Sequence, residues 1–370
     1  MKTKAAVVWE QGQDWQIEEL ELDPPKEHEV LIRFVASGLC HSDEHVRNGD
    51  LAGRYPIVGG HEGAGIIEAV GPSVSRVKPG DHVVCAFIPS CGHCRWCSTG
   101  HQSLCDLGAS ILVGSMLDGT FRFHGRGQDL GAMCLLGTFS QYAVIPEYSC
   151  VKIDDDIPLS VAALVGCGVT TGWGSSVYGA EASVGETMVV YGIGGIGINA
   201  VQGARLAGCE YVVAVDPLAN KREWAKEFGA THVAANGEEA QQIITDLTWG
   251  VGADKAIITM GVVESDVVTS AFNAVRKGGT VVLTGLSALD APTIQLPGAI
   301  LTLYEKRVIG SLFGSANPQY DIAHILNLYK AGQIKLEELI THRYTLDEVN
   351  QGYHDMLEGH NIRGIIEYQS

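Results

Sequence analysis

Cys91, Cys94, Cys97 and Cys105 lie in the stretch SCGHCRWCSTGHQSLC, a C-x2-C-x2-C-x7-C array in a segment with little apolar content. Four thiolates on one loop suit a closed tetrahedral Zn²⁺ site, which would hold together a segment too polar to fold unaided. An iron–sulfur cluster is the competing chemistry, and a redox C-x-x-C pair is a third, although regularly spaced cysteines in this number exceed what thiol exchange requires. A second set is scattered: Cys40 in GLCHSDEH, His61 with Glu62 in GGHEGAG, and Cys167 in VGCGVTTG. Taken singly, Cys40 and Cys167 sit in apolar surroundings where a buried, inert thiol is the default. Grouped with His61 they would form a Cys2His set, the three-ligand pattern of a catalytic zinc with an open fourth position. Cys85, Cys134, Cys150 and Cys209 read as small buried hydrophobes.

A third constellation is Gly192-Ile193-Gly194-Gly195-Ile196-Gly197, which follows the strand-like TMVVY and opens a helical stretch. That context raises a G-x-G-x-x-G match above chance. Gly192 would allow the tight turn, Gly194 would let the backbone approach a pyrophosphate, and Gly197 would permit close helix-to-strand packing. Asp216 ends the next strand-like run, YVVAVD. A carboxylate there accepts from the adenosine ribose hydroxyls and repels a 2′-phosphate, which favours NAD over NADP. The alternative is a glycine-rich turn with a solvated Asp capping the following helix.

These residues need elements to position them. Up to about residue 155 the chain reads as short strands divided by Gly, Pro and Asp: KAAVVW, EVLIRFVAS, GAGIIEAVG, HVVCAFI and FSQYAVI. From about residue 185 the texture changes to TMVVYG, then helical INAVQGARLAG, then YVVAVD, then helical KREWAKEFGA. Strand and helix in alternation predict a parallel sheet covered on both faces. The alternation continues through DKAIITMG, a helix near 265–275, GGTVVLTG and KRVIGSLFG. Two helical segments, IAHILNLYKAG and LDEVNQGYHDMLEG, and a last strand, GIIEYQ, close the chain. The expected class is α/β: a β-rich domain of 1–168 with 312–370, and an inserted doubly wound domain of 169–311.

The 370 residues carry 25 Lys+Arg against 43 Asp+Glu, a formal net charge of -18, with no run of clustered Lys or Arg. Such a surface repels polyphosphate backbones and anionic lipid, which argues against nucleic-acid and membrane-surface partners. Two uncharged stretches, 157–180 and 187–204, approach membrane-spanning length. Hydroxyl side chains and Pro158 interrupt the first, and Gly192, Gly194, Gly195 and Gly197 break the second. The start, MKTKAAVVWEQGQ, holds too short an apolar run for a signal-peptide core. A cytoplasmic protein is expected, and in that compartment cysteines are thiols or metal ligands.

GLCHSD, GHEGAG, the four-cysteine loop, GCGVTTG and GIGGIG occur in the order and at about the spacing of the zinc-dependent medium-chain alcohol dehydrogenases. The resemblance covers essentially the whole chain. Segment 106–137, with DGTFRFHGRG, is similar to the long form of this loop found in dimeric members. CRWCSTGHQSLCDLGA resembles the nitrosoaniline-dependent members, which keep their nicotinamide bound. The resemblance implies a GroES-like catalytic domain, a Rossmann cofactor domain, NAD, and two zinc ions per subunit, one catalytic and one structural. By resemblance Cys40, His61 and Cys167 would ligate catalytic zinc, with Glu62 close behind and Asp43 orienting His61. Cys91, Cys94, Cys97 and Cys105 would hold the structural ion.

Ser42 would accept the substrate hydroxyl proton and His45 would pass it to water through the cofactor ribose. His41 and Arg363 would touch the pyrophosphate, Lys221 the adenosine ribose, and Ile196 the nicotinamide face. Phe87 and Phe139 would line the substrate pocket. The implied reaction is reversible oxidation of a primary or small secondary alcohol, with a second, electron-accepting substrate if the nicotinamide stays bound. A thiol-dependent formaldehyde dehydrogenase and a non-catalytic zinc- and NAD-binding relative are the alternatives. A homodimer is expected from the resemblance alone.

Overall fold

The computed structural model describes all residues except 52, 288–293 and 370. The chain divides into two compact units: Met1–Cys167 with Asn317–Ser370, and Gly168–Ala316.

The first unit is built mainly on antiparallel strands, with Ile57–Val58 against Gln128–Ala132 and Ile340–Tyr344 against Arg363–Glu367 as parallel pairs. Lys2–Val8, Gln16–Leu22, Phe123–Gly125, Gln128–Ala132 and Ile57–Val58 close into a small barrel. A larger sheet carries Glu29–Gly38 at its centre, flanked by Glu62–Val70 and Arg363–Glu367, with Tyr142–Pro146 also paired to it. Along Glu29–Gly38 buried and half-buried residues alternate, as expected of a strand with unequal faces. Register decides what this sheet can position. Gly38 lies opposite both Glu62 and Ile365. The chain beyond Gly38 therefore leaves the sheet beside the start of the Glu62 strand and the start of the Arg363 strand, so Cys40, His61 and Arg363 reach one edge from three places in the sequence.

The second unit is a six-stranded sheet, all parallel, in which Thr187–Tyr191 sits between Tyr211–Val215 and Ala253–Ile258. His232–Ala234 lies outside the former, and Val275–Leu283 then Arg307–Gly310 outside the latter. In chain order this is 3-2-1-4-5-6, the doubly wound dinucleotide-binding order, whose switch point lies at the C-terminal end of the first strand. Thr187–Tyr191 is buried throughout, because helices cover both faces of a parallel sheet. Val189, Val213, Ile258, Phe272 and Val281 lie in one core.

Three departures from the sequence reading have physical causes. GLCHSDEH supplies an α-helix, His41–Asn48, whose buried residues include Asp43, Glu44 and His45, an inversion of the usual polar-out pattern that tertiary contacts impose. The helix Gly237–Leu247 was not legible as an element; Asn236 caps it by accepting from the Glu239 N–H. The second unit runs on to Ala316 rather than 311. At Gly314, φ is +66° and an added Cβ would meet the Thr170 and Thr171 carbonyl oxygens, so this turn packs on the helix Gly168–Gly174. Stretches 157–180 and 187–204 break into short elements, and among the described residues no helix is long and apolar enough to cross a membrane.

Candidate metal centres and nucleotide turn

Cys91, Cys94, Cys97 and Cys105 converge so that their sulfurs all lie within 4.8 Å of one another. Cys91–Cys97 and Cys94–Cys105 are each 3.9 Å apart. A disulfide would need about 2.05 Å. Four sulfurs about 2.3 Å from a central ion in a tetrahedron stand roughly 3.8 Å apart, so the pocket has the size for Zn²⁺. Backbone N–H groups already point at the sulfurs: Cys94 N–H to Cys91 Sγ at 3.2 Å, Cys91 N–H to Cys105 Sγ at 3.4 Å and Cys97 N–H to Cys94 Sγ at 3.5 Å. Donors from Cys97 and Asp106 pull the Cys94 thiol down to about 6. From outside the loop, Arg76 donates to the carbonyls of Ser90 and Cys91 and stacks on Tyr148.

The scattered set assembles as well. Ligand atoms of Cys40, His61, Glu62 and Cys167 all lie within 4.8 Å of one another, and every one of these residues is buried. His61 Nε2 has no hydrogen-bond partner among the described residues, while Nδ1 faces Asp43 Oδ1 at 3.1 Å. Asp43 Oδ1 also accepts the Gly60 N–H at 2.9 Å. A carboxylate on one ring nitrogen fixes the tautomer and leaves the other as a lone-pair donor, the arrangement found behind metal-bound histidines. Cys40 is held well below the ordinary thiol range, first by the hydrogen bond from Cys167 and then by His61 and Arg363. The hydrogen bond to Cys40, and after it burial, push Cys167 up. The donor set is soft, anionic and dehydrated, which is what zinc selects.

Glu62 ion-pairs with Arg363, whose Nη2 also donates to the Leu39 carbonyl at 3.0 Å. Burial pushes Glu62 up to about 7, against the pull of that guanidinium. Ser42 Oγ stands 3.7 Å from Cys40 Sγ. One helical turn on, His45 is buried rather than solvated, its Nδ1 2.8 Å from Asp50 Oδ2 and its ring 4.9 Å from that of His41. Phe87 meets His61 edge-on at 5.8 Å. Phe139, expected in the substrate pocket, is fully buried against Trp15 and belongs to the core. Asp50 was missed because nothing about a lone Asp past a helix stop marks it. Tyr353, whose hydroxyl reaches the Cys40 carbonyl at 3.4 Å, was missed because it lies 313 residues away in sequence.

In the second unit the glycine-rich turn follows the strand Thr187–Tyr191. Gly192 has φ +88°, and a Cβ there would sit 2.8 Å from Met260 Cγ. A Cβ at Gly197 would collide with the Gly192 carbonyl oxygen, whereas one at Gly194 would meet nothing within 4 Å. The close contact is thus at the packing glycine, and open space lies at the one expected to face an anion. Gly195 and Ile196 are half-buried between them, and the helix Gly197–Leu206 follows. Asp216 accepts from Ile193 N–H at 2.8 Å and Leu218 N–H at 2.9 Å, so the carboxylate ties the turn to the end of the second strand. Lys221 is half-buried on the helix Ala219–Glu227.

Comparison with known proteins agrees with this construction. The family model for the alcohol dehydrogenase GroES-like domain matches residues 26–155, and that for the zinc-binding dehydrogenases matches 195–331. The chain is 60% identical to the NDMA-dependent alcohol dehydrogenase of Amycolatopsis methanolica over 370 residues, covering 100% of both chains. It is 49% identical to alcohol dehydrogenase B of Mycobacterium tuberculosis, covering 100% of this chain and 99% of the relative. The benzyl alcohol dehydrogenase structure from Acinetobacter calcoaceticus superposes with a TM-score of 0.93 at 30% identity, with 100% of both chains covered. With two cysteine clusters of a size to hold a metal in one unit and a doubly wound sheet bearing a glycine-rich turn in the other, the chain belongs to the zinc-dependent medium-chain alcohol dehydrogenases.

Proposed function

We propose that this chain interconverts primary or small secondary alcohols with their aldehydes or ketones by hydride transfer to NAD. The observation that carries the reading is the buried Cys40, His61 and Cys167 set, with Nε2 of His61 unpartnered and its Nδ1 held by Asp43. These three residues would hold catalytic zinc, and Cys91, Cys94, Cys97 and Cys105 a structural zinc. Bound at the first set, zinc supplies Lewis acidity that makes a substrate hydroxyl acidic near neutral pH. NAD supplies the hydride acceptor.

The remaining work falls to the chain's own residues. Ser42 takes the substrate proton and His45 delivers it to water. Glu62, paired with Arg363, stands beside the proposed ligands, and both side chains are buried. Gly192, Gly194, Gly195 and Gly197 would admit a pyrophosphate at the glycine-rich turn, and His41 and Arg363 are the further pyrophosphate contacts that the resemblance implies. Asp216 and Lys221 would hold the adenosine ribose and Ile196 the nicotinamide face. The 60% identity to an NDMA-dependent relative favours a second, electron-accepting substrate; with it goes the resident nicotinamide, reoxidised in place, that the sequence resemblance implies. We place the enzyme in the cytoplasm as a homodimer.

Denaturing protein purified without added cofactor tests the resident nicotinamide. Near one NAD(H) per subunit, with turnover requiring an artificial acceptor, is expected. An empty protein that reduces added NAD would make it a conventional, coenzyme-exchanging dehydrogenase. The thiol-adduct reading loses ground on Arg122, the first basic residue after Cys105. Its guanidinium is buried and committed to Glu29 and Asp118, which leaves it unable to grip the carboxylates of a peptide thiol.

A further inference from the structure

The pairing of His45 with Asp50 has no counterpart among the roles assigned above. His45 is in the last turn of the helix His41–Asn48, and its side chain is only 4% exposed. A buried imidazole cannot give a proton directly to bulk water. Gly49 ends the helix with φ +87°, donating its N–H to the carbonyls of His45 and Val46, and Leu51 N–H returns to the His45 carbonyl at 3.2 Å. This reversal folds Asp50 back over the helix end and brings Oδ2 to 2.8 Å from His45 Nδ1. The Asp50 side chain is 41% exposed, so the pair has one end in the protein and the other in water. Arg47, the nearest guanidinium in sequence, is turned away to Glu44 and Asp14 and does not neutralise it. The other titratable ring against His45 is that of His41.

We infer that Asp50 is a positioning residue for His45 and the outlet of its proton. The inference rests on the reading of His45 as the relay base. An ionised carboxylate is acceptor-only, so its partner nitrogen carries the hydrogen: Nδ1–H faces Asp50 and Nε2 is the proton-accepting atom. When a proton arrives at Nε2, the imidazolium forms beside a carboxylate and at a helix C-terminus, both of which stabilise it. The Nδ1 proton then passes to Asp50 Oδ2, the imidazole returns to neutrality, and water at the exposed carboxylate removes the proton. One N–H bond forms and one breaks at the ring, and no electrons are exchanged.

The test is the single-turnover rate of alcohol oxidation by the holoenzyme, followed by nicotinamide absorbance, in Asp50→Ala, Asp50→Asn, His45→Gln and the double variant His45→Gln/Asp50→Ala. Asp50→Ala is expected to slow turnover about 10-fold, a fraction of the 10²–10⁴ that a proton-transfer group typically contributes. Added formate, a small exogenous carboxylate, should recover most of that loss, which no purely structural defect would allow. Asp50→Asn keeps the shape without the charge and should be slow and insensitive to formate. The double variant should be no slower than His45→Gln alone, because two residues on one route are not additive. Wild-type turnover in Asp50→Ala with a slow His45→Gln would overturn the Asp50 assignment while leaving the relay. Wild-type turnover in His45→Gln would overturn the relay reading itself, and strict additivity would show Asp50 acting elsewhere.

Discussion

Asp43 uses one oxygen on two partners, the His61 ring and the Gly60 N–H, and so fixes both the proposed zinc ligand and the backbone just before it. Asp43→Asn should therefore weaken zinc at the Cys40 site by roughly 10–100-fold, the usual consequence of removing a carboxylate behind a metal-bound histidine. Competition with a chromogenic chelator measures this without reference to turnover. On the proposed assignment Cys40→Ser should abolish turnover and remove one equivalent of bound zinc with the fold intact; full activity in that variant would remove the catalytic assignment. Legibility was uneven among these residues. Cys40, His61 and Glu62 sit in compact motifs that a reader of the sequence can pick out. Asp50 and Tyr353 have no such signature, because what qualifies them is a helix stop in one case and a helix from the far end of the chain in the other.

Elements add a second layer of support, clearest around the cysteine loop. Arg76 grips the carbonyls of Ser90 and Cys91, and the turn that carries Arg76 is held by Glu147, which accepts the Ser75 and Arg76 N–H groups at 2.8 and 3.0 Å and faces the His28 ring at 2.7 Å. Burial raises the Glu147 carboxyl, but the two N–H donors and His28 outweigh it and hold the group below its ordinary 4.5. A depressed folded value means the contribution is fully present above the unfolded value, about 4.5, and is lost as pH falls through the folded one. Glu147→Gln should cost about 1.5–3 kcal/mol at neutral pH, the range for hydrogen bonds to a charged group. The difference from wild type should shrink in denaturant titrations run below about pH 4.5.

In the cysteine loop the proposed metal would serve the element rather than any one residue. Between Cys91 and Cys105 the regular structure is a four-residue helix, Arg95–Ser98, and a three-residue 3-10 turn, Gln102–Leu104, too little to stand alone. Cys97→Ser should release the structural zinc and open this segment to limited proteolysis near Arg95, with the strand Glu29–Gly38 still protected from hydrogen exchange. Protection of the loop in that variant would show that Arg76 and the backbone suffice without the ion.

At the scale of the whole molecule, the net charge of -18 predicts that the protein fails to bind duplex DNA in a fluorescence anisotropy titration even at about 50 mM salt, where cationic proteins gain most from counterion release. The sequence by itself determined a great deal here: strand and helix alternation from about residue 185 follows from local periodicity, the cysteine loop from spacing, and the glycine-rich turn from a steric need for missing side chains that the Cβ contacts at Gly192 and Gly197 bear out. Each of these is a short-range property, readable within a window of a few residues. The tertiary structure decided what the windows could not hold. Register of Gly38 against Glu62 and Ile365 gathers Cys40, His61 and Arg363 at one edge, packing buries the acidic face of the helix His41–Asn48, and the turn at Gly49 places Asp50 on His45. Those placements depend on hydrogen-bond partners contributed from distant positions, and no local pattern of residues encodes a partner that the chain meets only after it has folded.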